Sequence, residues 1–362
     1  MIRSFVVGLF FLASIDGGVA CHAQPAPHRS LLALSKTDHT LAIVDPATLK
    51  IIGRIPVGED PHEVIASADG RTAYVSIYGG GTLHELDVLD LVAQKPLPAV
   101  DTRPLFGPHG LVFENGKAWF TAEGSKAVGR YDPATSRLDW SMGTGQDRTH
   151  MLYVTADGRR IYTTNVTSGT VSILIDTVLS FGPPGPPPGA QPSSGTQPPA
   201  GAQGPPPGAR TREEWRMTVI PVGRGSEGFD VSPDGRELWT AGSADGTITV
   251  IDLQAKKLSA TLDANVKGAN RLKFTPDGRQ VFITSLSSGE LTIYDARTRQ
   301  EVKRLKTGHG AAGILMDAEG ARAFVACSAD NYIAIVDLKT LEITGRLDVG
   351  GVPDGLAWAA RP

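Results

Sequence analysis

Cysteine is scarce in this sequence, and its scarcity excludes a fold held together by disulfides. The 362 residues contain two cysteines, Cys21 and Cys327. Cys21 lies in an N-terminal stretch with the layout of a removable leader, so Cys327 alone is expected to stay with the folded chain. Cys327 ends the apolar run 323–327, which predicts burial rather than redox or metal chemistry. The hydrophobic core must therefore hold the fold.

An excess of charge of one sign is also absent. Lys and Arg number 35 against 38 for Asp and Glu, and the formal net charge is −3. A balanced chain has no global field that attracts a polyanion or an anionic membrane. We therefore expect no nucleic-acid partner.

The N-terminal apolar run, 5–13, is far shorter than the ~20 residues that a membrane-spanning helix needs. It follows the positive charge of Arg3 and precedes small residues that lead to Ala23. This layout predicts a signal peptide over residues 1–23, no membrane span, and a periplasmic or secreted mature chain. Gly18 stands where a lipoprotein signal would need a large aliphatic residue before Cys21, which argues against lipidation.

A segment of about 42 residues recurs along the chain. Each copy passes from small or polar residues into an alternating apolar run, then through a turn, often Asp-Gly, into a second alternating run. The seven copies start at 61–64, 108–111, 149–152, 226–229, 269–272, 311–314 and 353–356. One interval is too long because it contains 181–212, a Pro/Gly-rich insert that is expected to be rich in polyproline II.

The residues within each repeat predict strands. Runs such as 40–44 and 247–251 alternate β-branched residues with others, and pairs such as Asp69-Gly70 are typical hairpin turns. Four antiparallel strands per repeat predict an all-β, seven-bladed β-propeller over residues 24–362, with the insert in blade four. The chain ends on a first-strand pattern, 356–359, which should complete the N-terminal blade beside 31–35.

Two segments carry a resemblance to a known family. The stretch 228–240, GFDVSPDGRELWT, and the stretch 246–252, GTITVID, resemble the repeat of YncE-type YVTN propellers. The resemblance covers essentially all of 30–359 outside the insert. It implies the propeller fold and says little about activity, because the repeat encodes packing between blades.

Ligands of propellers usually bind where the first strands reach the rim of the central channel. The equivalent rim positions in the seven repeats are His62, His109, His150, Glu227, Asn270, Ala312 and Asp354. The ends of the second strands approach the same face and add Lys36, Tyr78, Glu123 and Asn165. These polar residues form the candidate ligand-binding set.

Two interpretations of this rim stay open. Imidazoles and carboxylates that converge on the axis could hold a divalent cation, with Glu227, Asn270 and Asp354 as its ligands. The other interpretation is a wet polar rim whose side chains cap strand ends and bind a ligand without a metal. The trio is similar in kind to the hub ligands of gluconolactonase and regucalcin-type propellers, and 107–111 with 119–124 resembles streptogramin lyases.

Two functions follow. The leading expectation is an exported, monomeric binding or scaffolding module that recognises a small molecule or a protein at the rim. The alternative is a metal-assisted lactonase-like hydrolase or lyase with His62, His109 or His150 as its base. No Ser-His-Asp elbow, phosphate-binding loop, dinucleotide fingerprint or haem-attachment motif occurs in the sequence.

Overall fold

The structure is a computed structural model that describes residues 28–181 and 210–361. The expected signal peptide lies outside the described residues, and so does the insert from 182 to 209. The two strands that flank the insert run further than expected, because one ends at Phe181 and the other begins at Arg210. No helix in the described part of the chain is long and apolar enough to cross a membrane.

The described residues form seven four-stranded antiparallel sheets, which confirms the seven-bladed β-propeller. Blade 1 contains β1 (Arg29–Ser35), β2 (Thr40–Asp45) and β3 (Lys50–Pro56). Blade 2 contains β4 (Pro61–Ala66), β5 (Thr72–Ile77), β6 (Glu85–Asp90) and β7 (Lys95–Asp101). Blade 3 contains β8 (Pro108–Glu114), β9 (Lys117–Ala122), β10 (Ala127–Asp132) and β11 (Arg137–Gly143). Blade 4 contains β12 (Thr149–Val154), β13 (Arg160–Asn165), β14 (Thr170–Phe181) and β15 (Arg210–Pro221).

The remaining blades repeat this order. Blade 5 contains β16 (Ser226–Val231), β17 (Glu237–Gly242), β18 (Thr247–Asp252) and β19 (Lys257–Asp263). Blade 6 contains β20 (Ala269–Phe274), β21 (Gln280–Ser285), β22 (Glu290–Asp295) and β23 (Gln300–Lys306). Blade 7 contains β24 (Ala311–Met316), β25 (Arg322–Cys327), β26 (Tyr332–Asp337) and β27 (Glu342–Leu347), and β28 (Pro353–Ala360) returns to blade 1. Three short 3-10 turns lie at Gly79–Gly81, Glu123–Ser125 and Ser328–Asp330.

The core lies between neighbouring blades, and the second strand of each blade contributes most of it. These strands are buried along almost their whole length, since both of their faces meet a neighbouring blade. They carry large side chains with almost no exposure, among them Trp119, Trp239, Phe120, Phe282 and Phe324. The expected Asp-Gly turns lead into them: Gly70 has a φ of 63°, a conformation that glycine adopts without a steric cost.

The C-terminal strand closes the ring as the sequence predicts. β28 pairs with β1 antiparallel, with Leu31 opposite Trp358 and Ala33 opposite Leu356. Trp358 also ties β28 to the preceding blade, because its indole N–H donates to the carbonyl of Met316 in blade 7 at 2.8 Å. Both free sheet edges at the chain ends are thereby paired.

Removal of residues 353–362 should therefore open the ring and destabilise all seven blades. The deletion exposes the edge of β1, removes the packing of the half-buried Trp358 and removes the buried Ala357 and Ala359. The midpoint of urea unfolding should fall sharply relative to the full chain. Deletion of 361–362 alone is the matched control and should shift that midpoint little. An unchanged midpoint in the longer deletion would contradict the closure.

Candidate functional site

The six expected polar rim residues converge on one concave surface at the end of the channel. This surface, here called the cup, encloses about 340 Å³. The residues that line the cup are Lys36, His62, Tyr78, His109, Arg148, His150, Glu227, Asn270, Arg271, Leu286, Ala312, Ser328, Val352 and Asp354. The repeat alignment thus brings together side chains that are spread over more than 300 residues of sequence.

A bulge at the start of every innermost strand turns these side chains toward the axis. In β12, for example, pairing with β13 stops after Thr149 and resumes at Leu152. The same gap occurs at the start of β4, β8, β16, β20, β24 and β28. Because the second and third residues leave the ladder, the second side chain is free to face the channel.

The residue two positions before each cup residue is left-handed in all seven blades. Four blades use glycine there: Gly107, Gly225, Gly268 and Gly310. The other three use Asp60, Arg148 and Val352, with φ values of 55°, 54° and 51°. A left-handed backbone costs a residue with a Cβ roughly 1–2 kcal/mol. Three blades therefore carry a side chain that the backbone alone disfavours, and Arg148 and Val352 line the cup.

Three imidazoles form a continuous arc along one side of the cup. The ring centroids of His62 and His109 are 4.7 Å apart, and those of His109 and His150 are 3.9 Å apart. Burial is the largest cause that lowers the pKa of His109, and the neighbouring imidazoles lower it further. Within the described residues, His109 Nδ1 and His150 Nε2 are buried without a hydrogen-bond partner.

Glu123 lies behind the arc and orients it. One carboxylate oxygen contacts His150 Nδ1, and the other accepts a hydrogen bond from the Tyr78 hydroxyl. Burial raises the pKa of Glu123, but the bonds from His150 and Tyr78 and the charge of Arg148 outweigh it, so the net pKa is lowered. An ionised carboxylate only accepts, so His150 Nδ1 carries a proton. Burial and the Glu123 carboxylate together raise the pKa of Tyr78.

A second group of charges surrounds His62. Its Nε2 lies 2.6 Å from Lys36 Nζ and 3.0 Å from Asp60 Oδ1, and Asp354 Oδ2 is 3.6 Å from its Nδ1. Hydrogen bonds from His62 and Lys36 lower the pKa of Asp60. On this side of the cup, the cationic group of Lys36 and the carboxylates of Asp60 and Asp354 all contact the His62 ring or one another.

Arg271 is the main cup residue that the sequence analysis missed. It is only 7% exposed, and its guanidinium donates to Glu63 across the channel and to Asn270 Oδ1 at 3.3 Å. Burial opposes its charge, but Glu63, Asp354 and Glu227 together raise its pKa. The repeat alignment could have pointed to Arg271 and Glu63, because both occupy the third position of the innermost strand, where four of the seven blades have glycine.

Arg271 also changes the interpretation of the expected metal ligands. The oxygen of Asn270 accepts from Arg271, and its amide nitrogen donates to Glu227 Oε2 at 2.6 Å. Asp354 lies instead in the network around His62, 3.7 Å from Lys36 Nζ. Asn270 Oδ1 is therefore taken by Arg271 and Asp354 lies in a different network, so the structure does not show Glu227, Asn270 and Asp354 around one open position.

Asn165 lies outside the cup. Its side chain is fully buried in blade 4, where it donates to Thr170 Oγ1 and Ser172 Oγ at 3.0 Å and 2.9 Å. The position equivalent to Lys36, Tyr78 and Glu123 is Val166, whose N–H donates to the carbonyl of Arg148 as theirs do to the matching residues. The expectation was therefore one residue out of register, which in a strand turns a side chain to the opposite face.

Comparisons with known proteins agree on the fold. The sequence model of the cytochrome D1 heme domain family matches residues 209–321, less than half of the chain. A comparison with curated protein sequences found no match.

Solved structures of similar shape cover nearly the whole chain. A protein of unknown function from Desulfotomaculum acetoxidans has a TM-score of 0.68 at 11% identity, covering 92% of this chain and 99% of its own. A candidate 6-phosphogluconolactonase from Bacteroides uniformis has a TM-score of 0.68 at 13% identity over 91% and 99%. A dihydro-heme d1 dehydrogenase has a TM-score of 0.58 at 16% identity over 92% and 66%. At such identities the likeness shows the fold alone.

The Glu123→Gln variant should unfold more easily than the wild type near neutral pH, by about 1–3 kcal/mol, because a buried charged acceptor is lost. A lowered pKa means that the carboxylate stabilises the fold above its ordinary pKa of about 4.3 and loses this effect as pH falls through the folded value. The difference in the free energy of unfolding between the wild type and Glu123→Gln, measured with urea, should thus become smaller below about pH 4. Tyr78→Phe keeps the carboxylate and serves as the control. A gap independent of pH would contradict this role of Glu123.

Proposed function

We propose that this chain is a small-molecule-binding propeller whose cup recognises a polar ligand with an anionic group. The observation that carries the proposal is Arg148, which holds a left-handed conformation where four blades have glycine. Its side chain lines the cup and is 44% exposed. Strained residues of this kind persist where their side chains serve a site.

The size and the charges of the cup support this ligand class. A volume of about 340 Å³ lies at the lower end of the range of small-molecule pockets. Lys36, Arg148 and Arg271 all line the cup. A guanidinium group can donate two parallel hydrogen bonds to the oxygens of one carboxylate or phosphate. A concave surface of this size favours a small molecule over a protein partner.

The cytochrome D1 heme domain match raises a tetrapyrrole as another ligand. An unpartnered imidazole nitrogen could bind the iron of a haem as an axial ligand, but the side chains that line the cup do not fit the macrocycle. The three imidazoles contact one another as tilted rings, with interplanar angles of 47° and 34°. Charged and polar side chains dominate the lining, in which Leu286, Ala312 and Val352 are the aliphatic members. The residues present do not fit a wide apolar disc, so we do not adopt this ligand.

A lactone hydrolase is the second candidate function. Glu123 holds His150 by Nδ1 and leaves Nε2 without a partner at the cup, which is how a carboxylate orients an imidazole base. The base would take a proton from water as the water oxygen attacks the lactone carbonyl, and would return it to the ring oxygen as the C–O bond of the lactone breaks. The candidate 6-phosphogluconolactonase from Bacteroides uniformis has the same fold, which is compatible with this chemistry.

One panel of sugar acids, sugar phosphates and their lactones tests both functions. Calorimetry should find a ligand whose Kd rises about 10- to 100-fold in Arg148→Gly, the loss expected for a charged hydrogen bond. The variant should fold at least as well as the wild type, since glycine relieves the left-handed strain. Val352→Gly makes the same backbone change without loss of charge and should leave Kd nearly unchanged.

Two results would count against these functions. An Arg148→Gly protein that binds as tightly as the wild type would remove the anion-binding proposal. Lactones that stay closed with and without a chelator would remove the hydrolase.

Export and the family relation are part of the same proposal. The leader-like residues 1–23 and the YVTN-like repeats support a monomeric periplasmic or secreted protein similar to YncE-type propellers. The chain expressed in full should therefore be recovered from the envelope or medium with a mass that lacks residues 1–23. An intact N-terminus on a cytoplasmic product would contradict export.

A further inference from the structure

The two unpartnered imidazole nitrogens of the cup are not used by the anionic ligand proposed above. His109 is 2% exposed and His150 is 3% exposed. Their Nδ1 and Nε2 atoms, respectively, make no hydrogen bond with the rest of the described residues. Buried polar atoms almost always have a partner. Two such orphans in adjacent rings at one cup indicate that a bound partner contacts both nitrogens.

We propose that these two nitrogens and the carboxylate of Glu227 bind one transition-metal ion of the Zn²⁺, Co²⁺ or Ni²⁺ class. Neutral imidazole and carboxylate oxygen are ligands that such ions prefer. Tetrahedral ligands about 2.1 Å from an ion lie about 3.4 Å apart. His150 Nε2 and Glu227 Oε2 are 4.0 Å apart, so the Glu227 side chain closes the remaining gap when the ion binds. A ring nitrogen of His109 lies within 4.8 Å of a ring nitrogen of His150 and would supply the third ligand.

The groups that orient these ligands are already in place. Glu123 accepts a hydrogen bond from the N–H of His150 Nδ1, so the lone pair of that ring is on Nε2. A carboxylate behind a histidine ligand is the usual way to fix its tautomer and orientation. On the other side of the ion, the Asn270 amide donates to Glu227 Oε2 at 2.6 Å. His150 and Glu227 are thus oriented before the ion arrives.

Glu123 has a different role from Glu227, although it is also close. One ligand atom each from His109, Glu123 and His150 lies within 4.8 Å of the others. Both oxygens of Glu123, however, already bond to His150 and Tyr78. Glu227 lines the cup, so an ion bound there keeps an open position toward the cup. Glu123 is therefore a positioning residue.

This site does not depend on the identity of the small molecule that the cup binds. A metal affinity can be measured without that molecule, and Arg148 takes no part in it. The site does bear on the hydrolase candidate. One nitrogen cannot both bind an ion and accept a proton, so a bound ion assigns His150 to metal binding.

The test uses the full mature chain without a polyhistidine tag, stripped with a chelator and titrated with Co²⁺ and Zn²⁺. Calorimetry should give one ion per chain, and Co²⁺ should show visible bands of a low-coordinate nitrogen and oxygen site. His109→Ala and His150→Ala should each abolish stoichiometric binding. Glu123→Gln should weaken it about 10- to 100-fold through loss of orientation.

Two further variants keep the test decisive. His309 is an exposed histidine that pairs with Asp330, so His309→Ala controls for adventitious binding and should bind metal as the wild type does. Glu227→Gln keeps both imidazoles and should weaken binding even if the histidine variants fail to fold. The proposal is overturned if the stripped chain binds no ion, if Glu227→Gln binds unchanged, or if His309→Ala loses as much affinity as His150→Ala.

Discussion

The cup depends on one repeated contact, in which the bulge of each inner strand packs against the bulge of the next blade. Second-strand threonines make part of it: Thr121 accepts from the N–H of Gly110 in its own blade and donates to the carbonyl of His150 in the next. The third-position glycines make the rest, since a Cβ on Gly110 would lie 2.6 Å from that same carbonyl oxygen. At the closure, Gly355 meets the backbone of His62 in the same way. The backbone frame is therefore fixed by neighbouring blades, which leaves the cup side chains free to differ.

The frame also explains how so many charged groups share one cup. Buried charges need partners, and Arg271 provides one for Glu63 while it also faces Glu227 and Asp354. This guanidinium bonds to Asn270 and interacts with Glu227 and Asp354, the three residues that the sequence predicted as ligands of one ion. On the imidazole side, Lys36 lies against His62, and burial lowers the pKa of His109. The cup thus carries guanidinium groups, which suit an anion, beside imidazoles, which suit a metal ion.

The sequence predicted the ring and the rim because both follow from repetition. Equivalent positions of a rotational repeat share radius and height, so the alignment alone placed His62 and Asp354 at one cup, although they lie at opposite ends of the chain. The alignment was wrong about one side chain and missed another. Asn165 was one residue out of register, and Arg271 occupies a position at which most blades have glycine. Contacts such as that between Glu123 and His150 depend on rotamers of side chains from different blades, which a repeat pattern does not specify.

The departures from symmetry indicate where selection acts on more than the fold. Every blade needs a left-handed residue before its cup residue, and four blades meet that need with glycine. Glycine would therefore serve in all seven if the ring were the sole requirement. Asp60, Arg148 and Val352 instead accept a strained backbone, and two of the three bring a charge to the cup or to its histidines. Because stability gains nothing from this strain, the side chains themselves must be what is retained. The strained positions lie on the arc that runs from blade 1 to blade 4, which also carries the three histidines of the cup.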